Sequence, residues 1–272
     1  MTATLAPSGA PAELTAFLDR VRVAVDADLA KRLAPPVEDP GRLIEAMCYA
    51  ATGPGKRLRP AVVIAAAEAC GGSREAAMPA ASAIEMLHAY TLVHDDLPAM
   101  DDDDERRGRP TVHIAFGEAI AILAGDGLLT LAFGTLAEIG ADAVKVLARR
   151  AGSLELLGGQ AIDLTRPPTS FEAIEKLHAA KTGALFAAAA ELGAIAAGAD
   201  ALTIANLGRY GMAIGIAFQH ADDRDDAEFV DHSAMAAQRI RELGEEAQAI
   251  ANVFESRGAT LATIARWFAS KS

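Results

Sequence analysis

Cysteine is nearly absent from the 272 residues, and Cys48 and Cys70 are the only two. Two thiols exclude a disulfide framework and a thiolate metal site, and they fit a reducing compartment. Aromatic residues make up 5% of the chain, with a single tryptophan, which disfavours a β-sandwich or barrel. Positive charge is short too, with 25 Lys and Arg against 37 Asp and Glu for a formal charge of −12, so a nucleic-acid binder acting through bulk charge is excluded. Apolar stretches are cut by Glu68, Asp126 and Glu191 before they reach the ~20 uninterrupted residues of a membrane span. Met1 to Pro11 has no Arg and reads as a flexible tail, not a signal or transit peptide. The expectation is a cytoplasmic chain with no membrane span.

Alanine and helical periodicity fill the space those absences leave. Runs such as Ala187 to Ala190 carry the least conformational cost in a helix and let helices approach closely. Apolar spacing predicts an all-α body with helices near 12–33, 40–51, 58–70, 74–96, 117–138, 142–164, 171–180, 182–198, 201–222 and 232–269, the last broken near Gly258. Pro35-Pro36 and Pro167-Pro168 read as turns between helices. With no linker composition and no internal repeat, residues 1–272 are expected to form a single domain.

Chemistry concentrates at the ends of two apolar helices. From Asp95 to Glu105, six Asp and one Glu fall within eleven positions. Asp95 and Asp96 close a mostly apolar helix, where the macrodipole disfavours anions, so a solvated acidic loop is a weaker reading here than a cation site. Hard divalent cations prefer carboxylate oxygen, and Mg²⁺ in particular takes one or two carboxylates and completes its shell with phosphate and water. A second cluster, Asp222-Asp223-Arg224-Asp225-Asp226, ends another long apolar helix, and Asp222 and Asp226 share a helix face at about 5–6 Å between Cβ atoms. Two such clusters suggest helices that converge and face carboxylates across a cavity.

Basic residues complete the pattern. Gly55-Lys56-Arg57-Leu58-Arg59-Pro60 lies at a helix start, where backbone amides attract anions, and Arg106-Arg107-Gly108 follows the first acidic cluster. There is no Gly-x-x-x-x-Gly-Lys-Ser/Thr, so this is not a P-loop. The set implies one diphosphate bridged to Asp through Mg²⁺, beside a second anion held directly by Lys and Arg.

Those motifs, with His88 to Thr111, Gly158-Gly159-Gln160-Ala161-Ile162-Asp163, Lys181-Thr182-Gly183-Ala184 and Phe218-Gln219 leading into Asp222, resemble the short-chain trans-polyprenyl diphosphate synthases, the farnesyl and geranylgeranyl diphosphate synthases. The resemblance runs from about Gly53 to Asp226. It implies packed helices around a deep central cavity, a homodimer, and Mg²⁺-dependent condensation of isopentenyl diphosphate with an allylic diphosphate, with three Mg²⁺ ions held alongside the allylic substrate. By the same resemblance Asp95, Asp96 and Asp101, with Asp222, Asp223 and Asp226, are the metal set. Lys56, Arg57, Arg59, His88 and Arg107 are assigned to isopentenyl diphosphate, and Arg106, Lys181 and Gln219 to the allylic diphosphate. Thr182 and Gln219 face the developing allylic cation. Tyr90, about one turn before Asp95, is the expected floor that limits product length. Farnesyl diphosphate is the first reading. Geranylgeranyl diphosphate, and a weakly active prenyl-binding subunit of a heteromeric synthase, are the alternatives. A terpene cyclase shares aspartate-rich sites but needs no second diphosphate site of the Lys56, Arg59 and His88 kind.

The resemblance fails after Asp226. Family members continue through a Gly-Lys loop with a further Lys, about twenty positions that serve as a water-excluding lid. Here Ala227-Glu228-Phe229-Val230-Asp231-His232 runs almost directly into the next helix. Either the loop is missing from this sequence or the protein lacks it and leaves its site wetter.

Overall fold

A computed structural model describes residues 9–34, 38–166, 168–227 and 229–271. The expected tail falls mostly, the Pro35-Pro36 turn wholly and the Pro167-Pro168 turn partly outside these residues. Thirteen α-helices follow in chain order: α1 Ala12–Arg32, α2 Leu43–Ala51, α3 Leu58–Ala69, α4 Arg74–Asp95, α5 Val112–Phe116, α6 Glu118–Leu136, α7 Ala141–Arg150, α8 Leu156–Thr165, α9 Phe171–His178, α10 Ala184–Ala196, α11 Ala201–Asp225, α12 Ser233–Asn252 and α13 Ala259–Ala269. Several starts are written in the sequence. Ser73, Ser170 and Asp200 each accept a hydrogen bond from the backbone N–H three residues on and cap α4, α9 and α11.

Three departures from the expected elements have local causes. The single helix expected at 142–164 is two, because Ala151-Gly152-Ser153 turns the chain while Arg150 is drawn onto Glu191 and Glu155. The acidic stretch closes with a short antiparallel hairpin pairing Glu105–Arg106 with Arg109–Pro110, its turn made by Arg107 and Gly108 at positive φ. Between α9 and α10 the chain does not stop but widens into a π-helical turn, Ala179–Gly183, a form that concentrates at functional sites.

Small side chains set the packing. A Cβ on Gly193 of α10 would stand 2.2 Å from the Val63 carbonyl oxygen of α3, and one on Gly215 of α11 would stand 2.7 Å from Gly183 Cα. The second contact seats the π turn directly against α11. One continuous hydrophobic core joins Leu14 and Val25 of α1 to Ile64, Leu87, Phe186, Tyr210 and Phe268, and the buried Tyr210 hydroxyl donates to the Leu261 carbonyl at 2.8 Å.

Three segments reach the length and mean apolarity of a membrane crossing, Glu118–Leu136, Phe171–Ala196 and Ala201–Asp225, although none is free of charge. The second is 72% buried inside the fold, so its apolarity serves internal packing. The first is only 39% buried, and α5 and α6 leave Ile114, Ile122 and Leu123 exposed.

Gly193→Ala is expected to lower unfolding free energy by about 1–3 kcal/mol through overpacking against the α3 backbone. Gly134→Ala in α6, whose new methyl meets nothing within 4 Å, is expected to raise it by ~0.5–1 kcal/mol. Urea titration of both variants checks the pair, and equal effects would contradict the close-approach reading.

Candidate active site

The carboxylate clusters sit where α4 and α11 end. Asp95 is the last residue of α4 and Asp96 its C-cap, and the chain then folds back so that Asp101 N–H donates to the Asp95 carbonyl at 2.8 Å. Asp222 lies in the last turn of α11 and Asp226 is its C-cap. Two adjoining cavities lie beneath them. One, of about 450 Å³, runs past Asp95, Lys181 and Thr182 between Tyr90, His94, Ile122 and Leu157. The other, of about 490 Å³, is lined by Lys56, Arg57, Arg59, Arg107 and Asp222. Arg59 and His88 line both.

Electrostatics separate these cavities. Burial, reinforced by Asp101 and Asp96, outweighs the attraction of Lys181 and pushes Asp95 up to about 6. Burial and Asp226 push Asp222 up as well, against Lys56. In the basic cavity burial and Arg107 outweigh Glu85 and bring Arg59 down to about 10, while burial and four surrounding arginines hold His88 far below its usual range and therefore neutral. The buried Arg59 Nε has no hydrogen-bond partner among the described residues. Cations outnumber carboxylates in the basic cavity, where Lys56, Arg57, Arg59 and Arg107 face Glu85 and Asp222, while the apolar cavity sets Asp95 beside Lys181 and Arg59.

The doublets in the sequence divide their labour. Asp96 is buried and accepts from Arg106 Nε at 2.6 Å, so it is committed to that guanidinium and does not join Asp95 as an open ligand. Asp223 is buried and accepts from Gln219 Nε2 and His178 Nε2, both at 2.8 Å, so it does not join Asp222. Arg57 is turned into the protein, donating to Asp26, Glu85 and the Gly53 carbonyl at 2.8 Å each, and is not free to hold an anion. Asp96, Asp223 and Arg57, expected in the metal and substrate sets, are thus engaged with protein groups here. On α11 the ~100° rotation between neighbouring helical residues sends Asp223 inward beside Asp222, whereas Arg57 precedes α3 at a positive φ.

The structure adds partners that the sequence did not assign. Gln160 Nε2 donates to Asp95 Oδ1 at 2.9 Å and Asp163 accepts from Lys181 Nζ at 2.6 Å, both from α8. Thr182 Oγ1 donates to Gln219 Oε1 at 2.8 Å. Arg107 Nη1 donates to the Pro54 carbonyl, joining the hairpin to the loop before α3. The Gly158 to Asp163 stretch carries part of the resemblance, but no role was assigned to Gln160 or Asp163 from it.

Carboxylate oxygen is the donor set that Mg²⁺ takes, and Asp95, Asp101, Asp222 and Asp226 have no Lys or Arg ion-pair partner among the described residues. Neither do three His, Cys, Asp or Glu groups among those residues converge closely enough to enclose an ion unaided. That combination fits Mg²⁺ held in part by substrate phosphate and water.

Carboxylate-tipped helices thus stand over an apolar shaft, beside a basic pocket, in a mainly helical body. The family model described as polyprenyl synthetase matches residues 41–235, and the chain belongs to that family. It is 44% identical over 201 residues to the heterodimeric geranylgeranyl pyrophosphate synthase large subunit 2 of Arabidopsis thaliana, covering 70% of this chain and 54% of that protein. It is 40% identical over 223 residues to the farnesyl diphosphate synthase of Geobacillus stearothermophilus, covering 78% and 75%. The chain thus spans little more than half of the Arabidopsis relative. Among solved structures, the apo FPP/GFPP synthase of Zymomonas mobilis superposes with a TM-score of 0.87 at 39% identity, covering 94% of this chain and 98% of that one.

Two outcomes follow from the site. Arg57→Leu strands Asp26 and Glu85 and is expected to cost about 3–5 kcal/mol in urea unfolding, whereas Lys56→Ala, on the exposed rim, stays within ~0.5 kcal/mol; similar losses would contradict the inward placement of Arg57. Asp95 binds its proton more tightly folded than unfolded, so its contribution is present below about pH 4 and is lost as pH rises through about 6. Asp95→Asn is therefore expected to raise the melting temperature of the metal-free protein at pH 7, with the gain shrinking towards pH 4. A gain that does not change with pH would contradict the raised pKa.

Proposed function

We propose that the protein condenses isopentenyl diphosphate with an allylic diphosphate, head to tail, to give a short-chain prenyl diphosphate, and that farnesyl diphosphate is its main product. The observation that carries this reading is the pair of cavities meeting at Arg59 and His88, one walled by apolar side chains under Asp95 and the other by Lys56, Arg59 and Arg107. A cyclase acting on one diphosphate has no use for the second.

In this reading Lys56, Arg59 and Arg107 hold the isopentenyl diphosphate, and neutral His88 donates to it without adding charge. Asp95, Asp101, Asp222 and Asp226 would hold Mg²⁺, three ions in all, which when bound neutralises charge on the allylic diphosphate. Lys181 and Arg106 add fixed positive charge at the same place, Lys181 by exchanging its Asp163 partner for phosphate. As the carbon–oxygen bond ionises, the Thr182 and Gln219 oxygens face the allylic carbon. The alkene of isopentenyl diphosphate attacks that carbon, and the released diphosphate takes the final proton. No side chain forms a covalent intermediate.

Tyr90, buried and edge-on to His94 at 5.1 Å between ring centroids, narrows the apolar cavity below Asp95 and supports a short product. The exposed Ile114, Ile122 and Leu123 support a homodimer through α5 and α6. One observation favours a second reading, that of a slow, prenyl-binding subunit: α11 and α12 are joined by residues 226–232, which contain no lysine.

Incubation with labelled isopentenyl diphosphate and dimethylallyl, geranyl or farnesyl diphosphate, with Mg²⁺ or EDTA, tests the proposal. The expected result is Mg²⁺-dependent farnesyl product, reduced by orders of magnitude in Asp95→Ala and Asp222→Ala and lengthened in Tyr90→Ala. No product from folded protein with any acceptor would favour the subunit reading, and unchanged length in Tyr90→Ala would place the floor elsewhere.

A further inference from the structure

Thr182 lines the apolar cavity and is backed by three groups, Gln219, Asp223 and His178, that do not. Thr182 Oγ1 donates to Gln219 Oε1, Gln219 Nε2 donates to Asp223 Oδ1, and His178 Nε2 donates to Asp223 Oδ2, each at 2.8 Å. His178 and Thr182 are one turn apart around the π segment, and Gln219 and Asp223 are one turn apart on α11, so the four close a ring across two elements. Every direction in the ring is fixed by the carboxylate, which has only lone pairs to offer. With both Asp223 oxygens accepting, the Gln219 amide must point its NH₂ at Asp223 and its oxygen at Thr182. The Thr182 hydroxyl must then spend its single proton on Gln219, leaving an oxygen lone pair for the cavity.

We propose that His178 is a positioning residue for prenyl transfer, acting through Asp223 and Gln219 to hold the Thr182 oxygen with its lone pair, not its proton, towards the allylic carbon. A rotated hydroxyl would aim positive charge at a developing cation, so the ring removes an orientation that opposes ionisation. The surroundings match a fixed device. His178 is 4% exposed and Asp223 7%, and the His220 ring packs edge-on to His178 at 4.5 Å under the stacked ring of Phe171. His178 Nδ1 is buried without a partner among the described residues, so the ring has no second hydrogen bond to favour another pose. Without His178, Asp223 would keep one donor where two now hold it, and the carboxylate could turn and release the Gln219 amide.

This inference rests on the prenyl transfer proposed above. Wild-type turnover reports on that reading, and the ratio of variant to wild type reports on this one. His178→Leu removes the donor, while His178→Gln places an amide N–H near the Nε2 position. The expected result is a kcat about 10–100-fold lower in His178→Leu, KM for isopentenyl diphosphate within about twofold of wild type, and recovery of most of kcat in His178→Gln. Asp223→Asn, which can no longer accept twice, is expected to match His178→Leu, and the double variant to be no slower than either alone. Wild-type kcat in His178→Leu, equal loss in the Gln and Leu variants, or additive losses in the double variant would overturn the proposal. Where the Leu variant does not fold, a fast His178→Gln beside a slow Asp223→Asn supports it, and two equally slow variants overturn it.

Discussion

Like charge crowded at the wrong end of two helices is the constraint around which this molecule is organised. Asp95–Asp96 and Asp222–Asp223 stand at the C-termini of α4 and α11, where the helix dipole already repels them, and burial raises the cost. The protein compensates half of each doublet with its own groups, Arg106 for Asp96 and His178 with Gln219 for Asp223. Among the described residues it gives the other half no ion-pair partner, and Asp95, held by Gln160 alone, is pushed up to about 6. A fold that could have neutralised these carboxylates and does not is arranged for cations supplied from outside.

The basic cavity is built by the same logic in reverse. Arg57 is satisfied by Asp26 and Glu85, whereas Arg59 has a buried Nε with no hydrogen-bond partner among the described residues and a lowered pKa. An anion placed there restores what burial removed. Because Arg59 and His88 line both cavities, the two sites sit side by side, as the proposed pair of diphosphate substrates requires.

Much of this was legible in the sequence because helices declare themselves by caps and period. Ser73, Ser170 and Asp200 mark starts that the structure shows within a residue or two, and the two acidic helix ends appear where the apolar patterns stop. The split of each doublet was not legible, since adjacent residues of one type carry no sign of which faces the core. Nor was the α8 contribution, because Gln160 and Asp163 acquire meaning only once α8 packs beside the π turn. The π turn itself escaped notice, as Ala179 to Gly183 is compositionally an ordinary helix. His178 looked like one more partly apolar helix residue until α11 placed Asp223 against it.

The central claim is that the carboxylates await a cation delivered with a diphosphate. Melting of the protein with Mg²⁺ alone, with an unreactive allylic thiolodiphosphate alone, and with both measures it directly. The account predicts small shifts for either ligand and a large shift for the pair, lost in Asp222→Ala. Full stabilisation by the thiolodiphosphate without Mg²⁺ would contradict it.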